Sequence, residues 1–297
     1  MADGSEPAAA EGRPVEFARR GGVVLRADAW GSPQAPAVLL LHGGGQTRHS
    51  WAGTGRRLGA AGWRAISLDM RGHGESDWAP DGNYSLEAFV ADLRAVAESF
   101  AQPPALVGAS LGGLTAALAA GEGDGLVASA LVLVDIAPRL EPEGVKRIID
   151  FMQASPEGFA SLEEAADAVA AYRRHRSRPR DVSGLEKNLR RGEDGRYRWH
   201  WDPQFMAAGR GPAALRMQER FGRALRTLRI PTLMVRGRES DVVSEAGAAE
   251  LLAAVPHARF ADVSQAGHMV AGDRNDAFME VVVEFLREVA PPRTPLA

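Results

Sequence analysis

Residues 105–113 read Ala-Leu-Val-Gly-Ala-Ser-Leu-Gly-Gly, an apolar run that ends in a serine set among glycines. A strand that turns sharply into a helix demands this composition. Such a turn strains the backbone at its apex and crowds the residues two before and two after it, here Gly108 and Gly112. The apex residue, Ser110, is thereby lifted clear of its neighbours. A serine hydroxyl is a weak nucleophile, useful only where a base can take its proton and donors can receive an oxyanion. The same pentapeptide also serves for turn geometry alone, so its meaning depends on its surroundings.

Those surroundings alternate strands with helices. Downstream, Leu111–Ala120 is a run of small and apolar residues suited to a helix packed closely on a sheet. Its N-terminus leaves free amides and a partial positive charge beside Ser110, which makes the Leu111 N–H a natural oxyanion donor. Upstream, Val15–Arg20 and Val23–Trp30 read as an antiparallel pair, Ala37–Leu41 and Ala65–Leu68 as short buried strands, and Trp51–Ala61 as a helix. Ser85–Phe100 is an amphipathic helix with Ser85 as its N-cap. Leu131–Val134 is the next strand, closing at Asp135. Strands spaced by helices imply right-handed crossovers and a mostly parallel sheet.

The rhythm breaks at Pro138 and resumes with a strand at 231–237, a helix at Glu245–Ala254, a strand at Ala258–Val263 and a helix at Ala277–Val289. An interruption bounded by sheet strands on both sides is an insertion. It is expected to be mostly helical, and it holds the run Arg-Arg-His-Arg-Ser-Arg-Pro-Arg at 173–180 and Trp-His-Trp-Asp-Pro at 199–203. Residues 139–228 carry 18 Lys and Arg against 13 Asp and Glu, so the insertion is basic although the chain's formal charge is -3. This surplus suits either steering of anionic substrates or a solvated helical surface whose arginines pair locally.

With 297 residues and 45% hydrophobic composition the chain can bury a large core. The absence of cysteine excludes disulfides, thiolate metal sites and a cysteine nucleophile. The slightly acidic balance gives no case for nucleic-acid binding. Neither a signal-peptide pattern nor a bilayer-length apolar run occurs, so a cytoplasmic protein with no membrane partner is the expectation. Residues 1–14 and 291–297 read as loose tails.

Beyond the serine turn, His42-Gly-Gly-Gly-Gln-Thr-Arg-His-Ser-Trp51 and Asp69-Met-Arg-Gly-His-Gly-Glu-Ser76 stand in order before Gly108–Gly112. In this order and spacing the chain resembles the α/β-hydrolase superfamily, most closely its esterase, non-haem haloperoxidase and epoxide-hydrolase-like branch with a serine nucleophile. The resemblance implies an α/β fold: a mostly parallel eight-stranded sheet with helices on both faces. Residues 15–138 and 229–290 would form the core, and 139–228 a helical cap over the site. It also implies that the Gly44 amide is the second oxyanion donor, with Gly45 a close competitor, and that His42 and His73 shape loops.

The base must be an imidazole. Among seven histidines, His268 in Ala266-Gly-His-Met-Val follows the last strand and so falls at the carboxyl edge of the sheet, where Ser110 also emerges. Asp241, in Gly237-Arg-Glu-Ser-Asp, resembles the family's acid position and is the favoured partner of His268. Glu239 is second to it locally, and Asp135 is a competitor because some family members carry the acid there. Gly45, Trp51, Phe151, Met152, Trp199 and Trp201, joined by Phe205, are candidates for an apolar substrate pocket, although cap aromatics also serve as the cap's own core.

The expected activity is hydrolysis of a small carboxylic ester through an acyl-enzyme, with Ser110, Asp241 and His268 as the triad. Lactonase, thioesterase, perhydrolase and C–C bond hydrolase chemistry use the same triad. A non-catalytic binding protein on this fold is the alternative of a different class. The family's epoxide hydrolases and haloalkane dehalogenases use aspartate as nucleophile, which serine at 110 argues against. No cofactor is expected: the histidines form no local metal-ligand motif, and no dinucleotide fingerprint occurs.

Overall fold

A computed structural model describes residues 12–18, 22–123, 125, 127–172, 178, 180–207, 212–273 and 275–292. In chain order, β1 (Arg13–Ala18), β2 (Val24–Trp30) and β3 (Ala37–Leu41) lead through a short 3-10 turn at Arg48–Trp51 into α1 (Ala52–Ala60). Then come β4 (Arg64–Leu68), α2 (Leu86–Ala97), β5 (Ala105–Ala109), α3 (Leu111–Gly121) and β6 (Ala130–Val134). The insertion follows, with α4 (Pro142–Gln153), α5 (Leu162–Tyr172), a 3-10 turn at Ser183–Asn188, β7 (Leu189–Arg191), β8 (Tyr197–Trp199), α6 (Pro203–Ala207) and α7 (Pro212–Thr227). The chain closes with β9 (Thr232–Gly237), α8 (Glu245–Ala254), β10 (Arg259–Val263), α9 (Val270–Asp273) and α10 (Asn275–Val289).

One eight-stranded sheet runs in the order β1-β2-β4-β3-β5-β6-β9-β10. The pairs β1–β2 and β2–β4 are antiparallel and the rest parallel. Its central strands read as unbroken apolar runs because both faces are covered. Alternate residues enter two separate cores. Leu39, Leu41, Leu106, Leu131, Leu133 and Met234 lie in one, and Val38, Leu40, Ala105, Val107, Val132 and Val235 in the other. The second core is closed by α10, whose Phe278, Val282, Phe285 and Leu286 are buried. As expected, Ser85 caps α2, its hydroxyl accepting from the Ala88 amide.

Two expectations need correction and one needs refinement. The first strand begins at Arg13, inside the segment read as a tail, because antiparallel pairing with Ala29 and Asp28 holds Arg13 and Pro14 in the sheet. The insertion between β6 and β9 is mostly helical as expected, with one addition to a purely helical cap: β7 and β8 form an antiparallel pair, Leu189 opposite Trp199. Trp51 is 2% exposed and packs on Phe278 at 5.8 Å in the core beneath the sheet rather than in a substrate pocket. The 3-10 turn that precedes α1 rotates its ring inward. The tail expectations for 1–11 and 293–297, and most of the arginine run at 173–180, lie outside the described residues.

Candidate active site

The carboxyl ends of β5, β6 and β9 and the loop after β10 meet at one edge. At the first of them Ser110 has φ 48° and ψ -114°, a conformation that non-glycine residues rarely adopt. Two backbone bonds hold it there: its amide donates to the Val134 carbonyl at 3.1 Å, and its carbonyl accepts from the Leu114 amide at 2.8 Å. The flanking glycines are compressed. A methyl on Gly112 would stand 2.4 Å from the Leu41 carbonyl oxygen, and one on Gly108 would stand 2.5 Å from the Gly112 backbone. Gly112→Ala is therefore expected to cost about 1–3 kcal/mol of stability, with a lowered urea midpoint as the readout. An unchanged midpoint would show that the elbow has slack.

Asp135, at the end of β6, is also in the left-handed region with φ 48°, and it is fully buried. Its carboxylate is enclosed by three donors. The Gly237 amide reaches Oδ1 at 3.1 Å, the Ser240 hydroxyl reaches Oδ2 at 2.6 Å, and His268 Nδ1 lies 2.7 Å from the same Oδ2. A buried carboxylate needs such compensation. Asp241 is elsewhere: it is exposed, and its carboxylate pairs with Arg147 of α4 at 2.6 Å. The imidazole's acidic partner is thus Asp135, correcting the expectation for Asp241. Glu239 is likewise exposed on the surface.

The reason lies in the sheet. β6 and β9 are adjacent, with Val134 opposite Val235, so a carboxylate from either end can approach the loop of His268. The first position past β6 is already at that loop, whereas Asp241 stands four residues beyond Gly237, where the chain has turned outward. The place near the imidazole falls instead to Ser240, a residue not foreseen. Its hydroxyl also accepts from the Val242 and Val243 amides, both at 3.1 Å, so its proton is directed at Asp135. One signal in the sequence pointed this way: a carboxylate directly ending a fully apolar strand must find several donors.

The glycine loop after β3 supplies the other half. Met70 N–H donates to His42 Nε2 at 3.0 Å, which leaves His42 Nδ1 as the protonated atom, donating to the Gly43 carbonyl at 2.8 Å. Burial pushes His42 down to about 4, the Gly43 bond opposing it, so the ring is neutral at physiological pH. Because a trans peptide points its C=O and N–H in opposite directions, holding the Gly43 carbonyl turns the Gly44 amide away from His42. A methyl on Gly43 would stand 3.3 Å from Ser110 Cβ, and one on Gly44 would stand 4.0 Å from Leu111 Cδ2. Among the described residues no hydrogen bond uses the Gly44 or Leu111 amide. Gly45, at φ 74°, turns the loop and touches the cap: a methyl there would stand 3.0 Å from Met152 Cε.

A cavity of about 670 Å³ contains Gly44, Gly45, Ser110, Leu111 and His268 together with Phe151, Met152, Trp199, Trp201 and Phe205 from the insertion. These aromatics line the cavity and also pack on one another. Trp199 and Trp201 stack at 5.2 Å, Phe151 meets Trp199 at 5.4 Å, and Met152 and Phe159 complete an apolar cluster within the insertion. The insertion is fastened by the segment 200–202. His200 Nδ1 accepts from the Gly74 amide at 2.7 Å, its Nε2 faces the Gly45 carbonyl at 3.3 Å, and Asp202 accepts from the Tyr84 hydroxyl at 2.5 Å. The ring of His73 lies between those of His42 and His200, at 5.1 and 5.8 Å. Among the described residues no group of three His, Cys, Asp or Glu is placed to hold a metal ion, and no helix is long and apolar enough to cross a membrane.

Comparison with known proteins places the fold that carries these residues. The family model for the alpha/beta hydrolase fold matches residues 36–274. This chain belongs to the α/β-hydrolase family. It is 32% identical over 293 residues to Esterase Rv0045c of Mycobacterium tuberculosis, covering 95% of this chain and 93% of that protein. A crystal structure of that esterase superposes with a TM-score of 0.71 at 30% identity, covering 93% of this chain and 91% of the other. The 3-hydroxybutyrate-oligomer hydrolase of Cupriavidus necator is 29% identical over 252 residues, covering 80% and 85%.

Proposed function

We propose that this α/β-hydrolase, an ester-cleaving hydrolase, acts on a small carboxylic ester through an acyl-enzyme on Ser110. His268 Nε2 takes the Ser110 proton as Oγ attacks the carbonyl carbon. The Leu111 and Gly44 amides receive the oxyanion, and His268 returns the proton to the departing alkoxide. A water activated by the same imidazole then releases the acid and restores Ser110. Asp135 holds the ring with Nδ1–H inward, which keeps Nε2 free as the base and stabilises the imidazolium that forms. The observation that carries this reading is the 2.7 Å contact from His268 Nδ1 to buried Asp135, in a cavity that also contains Ser110.

The relatives named for ester hydrolysis support the same class of reaction. Purified protein is expected to hydrolyse p-nitrophenyl acetate and butyrate, and a fluorophosphonate probe is expected to add its phosphonyl group to the peptide containing Ser110. Failure of both turnover and labelling would leave the non-catalytic binding-protein reading in place.

A further inference from the structure

The lining of the cavity is divided in chemistry. Phe151, Met152, Trp199 and Trp201 make one part of it apolar, while Gln46, Thr47 and His49 from the loop after β3, with Lys187 and Asn188 from the 3-10 turn at Ser183–Asn188, make another part polar. The two polar segments are linked, the Thr47 hydroxyl donating to Asn188 Oδ1 at 3.3 Å. Among the described lining residues there is no carboxylate, and Lys187 is the side chain with a permanent charge. His49 does not share that role: burial first, then the charges of Arg48 and Lys187, lower its pKa against the opposing pull of Asp69 and Asp28.

Several of the insertion's described arginines are committed to other groups. Arg147 pairs with Asp241, Arg178 with Asp167, Arg198 with Asp194, and Arg220 with Glu122 and Glu87. Arg190 lies over the Trp78 ring and donates to the Gly74 carbonyl. Lys187 is exposed where it borders the cavity, and among the described residues no carboxylate is paired with it, so this edge of the cavity carries a cation with no internal counter-charge. A fixed cation at a cavity edge otherwise lined by apolar and neutral polar groups favours a ligand that brings the opposite charge.

We propose that Lys187, with Asn188 beside it, forms an anion subsite, and that the substrate is an ester with an apolar half against the aromatic wall and a carboxylate on the other half. This rests on the serine-hydrolase reading above. The carboxylate takes no part in bond breaking; it selects and orients the ester that Ser110 attacks.

Two matched pairs test the subsite and show which half of the ester it reads. 4-(Butanoyloxy)benzoate against 4-(butanoyloxy)benzamide places the charge on the leaving group. Monophenyl glutarate against phenyl pentanoate places it on the acyl group. The readout is the ratio of kcat/KM for the charged over the neutral ester, in the wild type and in Lys187→Gln, Lys187→Glu and Lys187→Arg. For one pair the ratio is expected to fall about tenfold in Lys187→Gln, further in Lys187→Glu, and to be held in Lys187→Arg. It is also expected to shrink in the wild type as salt rises toward about 1 M. Equal ratios in wild type and Lys187→Gln for both pairs would overturn the subsite while leaving the hydrolase reading standing. Failure of the wild type to cleave any of the four esters would overturn both.

Discussion

Asp135→Asn is expected to lower kcat for p-nitrophenyl butyrate by about 10⁴-fold, as loss of the orienting carboxylate does in serine hydrolases. The carboxylate is fully buried and accepts from three groups, Gly237 N–H, Ser240 O–H and His268 Nδ1–H. An amide cannot accept at both of its ends. If its NH₂ faces His268, the ring must accept at Nδ1 and carry its proton on Nε2, which removes the base from Ser110. If the NH₂ faces Gly237 instead, two donors are opposed in a buried place, and the fold bears the cost. Asp241→Asn breaks only an exposed pair with Arg147, worth at most about 1 kcal/mol, and is expected to leave kcat close to that of the wild type. Steady-state kinetics on the two variants, with circular dichroism to confirm folding, decide the matter. The reverse ranking would return the acid to Asp241.

The second large effect is on stability in acid. His42, His73 and His200 are all buried, and their pKa values are lowered: His42 to about 4, His73 to about 3, and His200 well below its ordinary value. Burial is the first cause in each. For His73 the neighbouring His42 adds to it against Asp69, and for His200 the other two rings and Arg190 add to it. An unfolded chain binds a proton on each of these groups near pH 6.5, while the folded chain does not. The stability this contributes is fully present above about pH 6.5 and is lost as pH falls toward about 4, at roughly 1.4 kcal/mol per pH unit for each histidine.

For a total stability of about 5–15 kcal/mol, that is a large loss by pH 5. Urea unfolding at pH 7, 6 and 5 is expected to show a steep fall, with a slope of about two to three protons. His73→Phe, which removes one titrating ring whose Nε2 has no partner among the described residues, is expected to lower that slope by about one proton. A flat stability between pH 6.5 and 5 would refute the account. The depressed carboxylates, such as Asp262 against Arg236 and Glu122 against Arg220, act in a lower window: their contribution is present above the usual carboxylate range and is lost below it.

Local pattern alone determined a good deal about this protein. Apolar runs of strand length between helical stretches made the parallel sheet legible, because strands buried on both faces are built mostly from apolar residues. Gly108 and Gly112 made the turn at Ser110 legible, because the sterics of an elbow act on residues two positions away. The place of His268 followed from its position just past the last strand. What the tertiary structure alone decided are relations between segments far apart in the chain. Asp135 and Asp241 follow neighbouring strands, and only the three donors that close on Asp135 from Gly237, Ser240 and His268 distinguish them. Trp51 turned into the core because a 3-10 turn intervenes before α1, a difference of a fraction of a helical turn that composition does not encode. His200 became the fastening between Gly74 and Gly45 because β8 delivers it there, although nothing in the tract Trp-His-Trp-Asp names those partners. Steric limits and periodicity act within a few residues and are written in order along the chain. Hydrogen-bond complementarity around a buried charge exists only once the strands stand side by side.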